Sequence, residues 1–139
     1  KVAGAIRSAV SNASQPAQSI LAKAMACQSL VEERRERKET LQARALKVKE
    51  ILSRPDYASL WDVYPFNAGY FMCLRLKGIS AETFRRHLLD QYGVGVIADG
   101  ERDIRIAFSA VEEKNLEELY SCLAKAARDV QAETAAGRA

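Results

Sequence analysis

A chain of 139 residues that is 48% hydrophobic, with few prolines and glycines, can bury one real core, and this composition excludes collagen-like and low-complexity classes. The formal net charge of +3 is modest and shows no concentrated basic face, so nucleic acid is not an expected partner. There is no run of about 18 apolar residues, so no membrane-spanning helix is expected.

No secretory leader with a basic start, apolar middle and cleavage site is visible, so a soluble cytoplasmic protein is expected. The chain opens on Lys1 rather than Met, as expected of a piece of a longer protein. Cys27, Cys73 and Cys122 are odd in number, far apart and form no CxxC pair. They make no disulfide framework, and Cys73 and Cys122 are expected to act as small buried hydrophobes.

In chain order, the first predicted helix starts near Ser14, with Pro16 tolerated in its first turn. Ile20, Ala24 and Cys27 would form its buried stripe. Ser29-Leu30-Val31-Glu32 has the S-x-x-E form of a capping box, in which the serine oxygen and the glutamate satisfy each other's free N–H groups. The helix it opens carries Leu41, Ala45, Val48 and Leu52 at three- and four-residue steps, and Pro55 ends it. The charge run from Glu32 to Glu39 alternates in sign at helical spacing, which describes a solvated helix face. Tyr57, Trp61 and Tyr64 are expected to pack a loop onto the core.

A strand is predicted over Tyr70 to Leu76, between Gly69 and Gly78. A helix follows from about Ser80 to Tyr92, stopped by Gly93, with Phe84, Leu88 and Tyr92 on its inner face. Val94 to Ala98 and Ile104 to Phe108 are two further strands, with a turn at Asp99-Gly100. Ser109-Ala110-Val111-Glu112 repeats the capping-box pattern and would open a last helix with Leu116, Leu119, Leu123, Ala126 and Val130 inward. Beyond about Gln131 the tail should fray. The expected fold is α+β: a small sheet of about three strands with helices packed on it, preceded by long helices. The expected divisions are a leading segment over residues 1–28, a long helix over 29–54, the small α+β domain over 55–132 and a frayed tail over 133–139.

Arg105 is the informative charge. It sits between Ile104 and Ile106 on a strand, where a guanidinium is costly unless an anion meets it. Its planar fork suits a carboxylate. From spacing alone the anion could equally be Asp103, Glu101 or an acid on a helix. His87 is the single histidine and has no ligand-spaced partner on its helix, so no metal site is expected. No glycine pattern of a phosphate loop is present.

Several segments, taken in order, resemble the small domain of class I/II, fold-type I aminotransferases of the aspartate/aromatic kind. Pro65-Phe66-Asn67-Ala68-Gly69-Tyr70-Phe71-Met72 followed by Cys73-Leu74-Arg75-Leu76 is similar to the family's proline, small residues, glycine, aromatic, strand signature. Ala81 to Leu89, Tyr92-Gly93-Val94-Gly95-Val96-Ile97 and Asp103-Ile104-Arg105-Ile106-Ala107-Phe108-Ser109 resemble its next helix and two strands. Ala5-Ile6-Arg7-Ser8-Ala9-Val10-Ser11-Asn12 resembles an "I-R-x-x-x-S-N" segment, although Ala13-Ser14-Gln15-Pro16-Ala17 departs from the prolines and glycine that often follow it.

The resemblance implies a pyridoxal 5'-phosphate enzyme that moves an amino group between an amino acid and a 2-oxo acid, working as a homodimer. It implies that Arg105 binds the substrate's α-carboxylate. It also implies that Arg7 reaches a distal carboxylate in the partner's site, and that Ser11 and Asn12 lie near the partner's cofactor phosphate. The Schiff-base lysine would lie upstream of this chain: Lys1 stands only six residues before Arg7 and lacks the Ser/Thr-rich approach. Alone, the segment would be inactive. The alternatives are a lyase or decarboxylase of the same cofactor fold, or a non-catalytic small-ligand or regulatory module.

Overall fold

The computed structural model describes residues 1–10, 14–67 and 69–136. The chain forms two compact units, Lys1–Glu39 and Thr40–Ala139.

The first unit contains helices α1 (Val2–Val10) and α2 (Gln15–Met25) and the start of α3 (Ser29–Leu52). The α2 start follows from its sequence. Ser14 is extended, its hydroxyl accepts from the Ala17 N–H at 3.5 Å, and Pro16 stands in the first turn, where its missing N–H costs nothing. The expected buried stripe of α2 is not seen. Ile20 is 69% exposed, and Ala24 and Cys27 are exposed as well. Periodicity marks the face that would be buried, and no described residue of this unit covers that face. Helix α3 begins at Ser29 as expected, but the Ser29 hydroxyl lies 3.1 Å from the Cys27 thiol, and no Ser29–Glu32 cap accompanies it. Glu32 pairs instead with Arg35 on the solvated face.

The second unit is built on a four-stranded antiparallel sheet in the order β1-β2-β4-β3. Its strands are β1 (Trp61–Val63), β2 (Met72–Leu76), β3 (Ile97–Asp99) and β4 (Asp103–Ile106). The expected count was about three; β1 is the addition. It is a short edge strand that pairs Trp61 with Leu76 and Val63 with Leu74. One sheet face is the core. Met72, Leu74, Leu76, Ile104 and Ile106 are buried on it, and they join Val48, Ile51 and Leu52 from α3 in one apolar cluster. Phe84 and Leu88 enter the cluster from α4 (Ala81–Tyr92), and Leu116, Tyr120, Leu123, Ala127 and Val130 from α5 (Leu116–Ala136). The architecture is α+β, with helices layered on one face of the sheet.

Both ends of α4 follow the expected chemistry. Ser80 accepts from the Thr83 N–H at 3.5 Å, and Gly93 adopts φ 66°, the left-handed stop that a side chain resists. Glu82 in its first turn binds Arg85 and Arg86, which hold its carboxyl down to about 2.

The second capping box is not used. Ser109 lies within a 3₁₀ turn over Phe108–Ala110, and Val111 and Glu112 are extended. A further 3₁₀ turn over Glu113–Asn115 intervenes, and α5 begins only at Leu116. With Val111 and Glu112 extended rather than helical, Ser109 does not cap a first turn and the reciprocal bonds do not form. Strand β4 likewise ends at Ile106, although Phe108 is still buried.

Tyr120 is fully buried on α5, yet its hydroxyl has no partner among the described residues, and burial pushes its pKa up. An unsatisfied buried donor costs about 1–3 kcal/mol, and removing it relieves that cost. Tyr120→Phe should therefore leave the urea midpoint unchanged or raise it. A clear fall would show that the hydroxyl is bonded in solution.

Candidate functional site

Strand alternation sends Ile104 and Ile106 into the core and Arg105 to the opposite face of the sheet. That face is where the candidate site lies. Arg105 is half-buried in an inner strand, with Cys73 of β2 directly across on one side and Ile97 of β3 on the other. Neither neighbour can neutralise it. Asp103, two residues back on the same face, stands opposite Arg75 and accepts from the Tyr64 hydroxyl at 3.1 Å. Among the described residues, no carboxylate pairs with the Arg105 guanidinium. Its Nε is buried and unpartnered.

What Arg105 does contact is an aromatic ring: its Cζ lies 5.2 Å from the centroid of Phe71. Phe71 stands just before β2, and the preceding Tyr70 carbonyl accepts from the Ser109 N–H at 3.4 Å. That bond ties the Tyr70-Phe71 segment to the stretch just beyond β4. Beside the guanidinium are two large, partly exposed apolar side chains: Phe71 at 46% and, paired with Arg105 across the sheet, Ile97 at 47%. An uncompensated cation within an apolar rim is an arrangement that an incoming carboxylate would complete, because the fork can offer it two parallel N–H donors.

The other residues singled out from sequence are placed as follows. Arg7 is exposed on α1, in the first unit. Ser11 and Asn12 fall outside the described residues. Lys1 is exposed at the head of the chain. Tyr57 and Trp61 stack at 5.3 Å and are both buried, as a loop packed onto the core requires, whereas Tyr64 turns to the open face and holds Asp103. His87 sits 3.3 Å from Asp129, which also accepts from the Tyr92 hydroxyl at 2.6 Å. This joins α4 to α5. Among the described residues no group of three or more metal-ligating side chains converges.

The described residues do not form a cradle for a phosphorylated aromatic cofactor. Lys47 and Lys77 are committed to ion pairs with Glu50 and Asp62, and the open sheet face offers the Arg105 and Arg75 side chains rather than a nest of backbone phosphate donors. The face fits a carboxylate. Sequence reasoning named Arg105 but not the two contacts that define its surroundings. Phe71 was visible only as part of a signature, and the Tyr64–Asp103 bond, across 39 positions, had no sequence signal.

Residues 1–123 match the family model described as aminotransferase class I and II. The fold is similar to a crystal structure of LysN, an alpha-aminoadipate aminotransferase from Thermus thermophilus complexed with N-(5'-phosphopyridoxyl)-L-leucine. The TM-score is 0.66 at 19% identity, over 76% of this chain and 29% of that one. The likeness is one of fold, and this chain spans less than a third of LysN's length. No curated protein matches the chain. Among the described residues, no helix is long and apolar enough to cross a membrane.

Proposed function

Because the chain belongs to the aminotransferase class I and II family, we propose that it is the C-terminal portion of a pyridoxal-phosphate-dependent aminotransferase whose Arg105 binds the substrate's α-carboxylate. The observation that carries this reading is the state of Arg105: half-buried, on the sheet face away from the core, with a buried Nε that no described residue satisfies. A structural arginine would be paired with an acid, and Asp103, the nearest on its strand, bonds Tyr64 and makes no ion pair with Arg105. The alternative of a non-catalytic module has no feature of its own in its favour.

When bound, the cofactor supplies an electron sink for the substrate's Cα. The part of this chain is binding and orientation. Two parallel bonds from the Arg105 fork fix the position and plane of one carboxylate; with the amino nitrogen held at the other end, that anchor sets the rotation about the Cα–N bond, and so which bond at Cα is presented for cleavage. The apolar flanks of Phe71 and Ile97 limit water at that contact and strengthen it. In the same proposal the Schiff-base lysine lies in a preceding large domain, residues 1–28 lead from it, residues 29–54 form the helix between domains, and residues 55–132 are the small domain. The working form is a homodimer, with Arg7 directed to a distal carboxylate and Ser11 and Asn12 to the phosphate of the partner's site.

The reading is tested on the full-length holoenzyme with a panel of amino acids and a 2-oxo acid acceptor. Transamination should yield one new amino acid for each 2-oxo acid formed from the donor. Release of carbon dioxide or ammonia without amino-group transfer would replace the assignment with a decarboxylase or lyase.

A further inference from the structure

We infer that Phe71 is a positioning residue for Arg105, holding the guanidinium flat and aimed at the carboxylate by the face of its ring. The inference rests on the carboxylate role of Arg105. It starts from a geometric need. An arginine side chain has four rotatable bonds, and a fork delivers two bonds to a carboxylate only if its plane is fixed beforehand. Arginines in proteins are usually fixed by an acid, yet an acid here would compete with the substrate. Of the neighbours that could serve, Cys73 and Ile97 flank Arg105 in the sheet and offer no carboxylate, and Asp103 bonds Tyr64 and makes no ion pair with Arg105.

The Phe71 ring remains, with the guanidinium carbon 5.2 Å from its centroid. A ring face attracts a cation without using any of its N–H donors, so it orients the fork and leaves its two-bond edge free. The ring is itself held. Tyr70 before it is bonded through its carbonyl to Ser109, and Met72 after it is buried in register with Ile106. Phe71 is also 46% exposed, more than a residue recruited only to fill the core would be.

The test uses the full-length holoenzyme and two probes, butyrate and butyramide, whose affinities are measured by calorimetric titration. The ratio of the two reports the charged contact and is insensitive to general loosening of the pocket. Phe71→Leu and Phe71→Met should weaken butyrate roughly 3- to 30-fold, the range of a partly desolvated cation–ring contact, and leave butyramide unchanged. Phe71→Tyr, which keeps the ring face, should stay within about 2-fold of the parent protein for both probes. Equal butyrate affinity in the Leu and Met variants, beside a loss in Arg105→Ala, overturns the positioning role and leaves the carboxylate reading intact. Undiminished butyrate binding in Arg105→Ala overturns both. Two aliphatic variants keep the comparison available if one of them fails to fold.

Discussion

Arg105→Ala in the full-length holoenzyme should lower kcat/KM by about 2–5 kcal/mol, roughly 30- to 5,000-fold, as truncating one partner of a buried charge pair does. The choice between this figure and the near-zero value of an exposed ion pair turns on burial and competition. Arg105 is half-buried, its Nε is out of contact with water, and no described acid offers an alternative anion. A carboxylate seated there meets a cation that is already largely desolvated, so most of the contact energy goes to the substrate. Arg105→Lys should recover only part, since an ammonium keeps the charge and loses the planar fork. The fold should barely respond, because Arg105 gives up no ion pair when it is removed. The rate loss should therefore come with an unchanged melting temperature. A near-parental kcat/KM in Arg105→Ala would reject the carboxylate assignment. A large loss accompanied by unfolding would make Arg105 structural instead.

The parts of this fold that could be read from sequence are those where local chemistry and tertiary packing agree. Helix α4 has a serine cap, an inward Phe84 and Leu88, and a left-handed glycine, and all of these appear in the structure. Strand β4 alternates because its two faces meet different surroundings. The failures share one cause: a local pattern does not say what covers it. The stripe of Ile20, Ala24 and Cys27 was correct as helical spacing for its first two residues, ran past the helix end at Met25 for Cys27, and was wrong as burial for all three. Ser109 and Glu112 had the spacing of a cap, yet Ser109 falls in a 3₁₀ turn and Val111 and Glu112 are extended. Strand β1, at three residues, is too short to show a period, and only its pairing with β2 makes it a strand. The site shows the same division. That Arg105 needs an anion follows from its place between two isoleucines. Whether Asp103 supplies it depended on Tyr64, which lies 39 positions away and whose hydrogen bond no spacing rule predicts.

The core that holds this sheet can be tested at one residue. Phe84→Ala should destabilise the protein by about 3–5 kcal/mol, the range for emptying a packed phenylalanine site. That is a large share of the roughly 5–15 kcal/mol that keeps a domain folded. Phe84 is fully buried on α4, in the cluster that also holds Leu88, Leu116, Tyr120 and Leu123. The control lies on the same helix: Leu89 is 47% exposed, and Leu89→Ala should change stability by no more than about 0.5 kcal/mol. Urea unfolding of both variants, read as a shift in midpoint at constant slope, separates a packing effect from a change in the unfolded chain. The consequence reaches the site through connectivity. Helix α4 ends at Gly93 and leads into β3, whose Ile97 pairs with Arg105 on β4. A cavity at Phe84 should therefore loosen the β3 edge and faster amide exchange should follow at Ile97, while β2, held between β1 and β4, stays protected. If Phe84→Ala proves as mild as Leu89→Ala, α4 does not brace that edge, and the half-burial of Arg105 must be maintained by β2 alone.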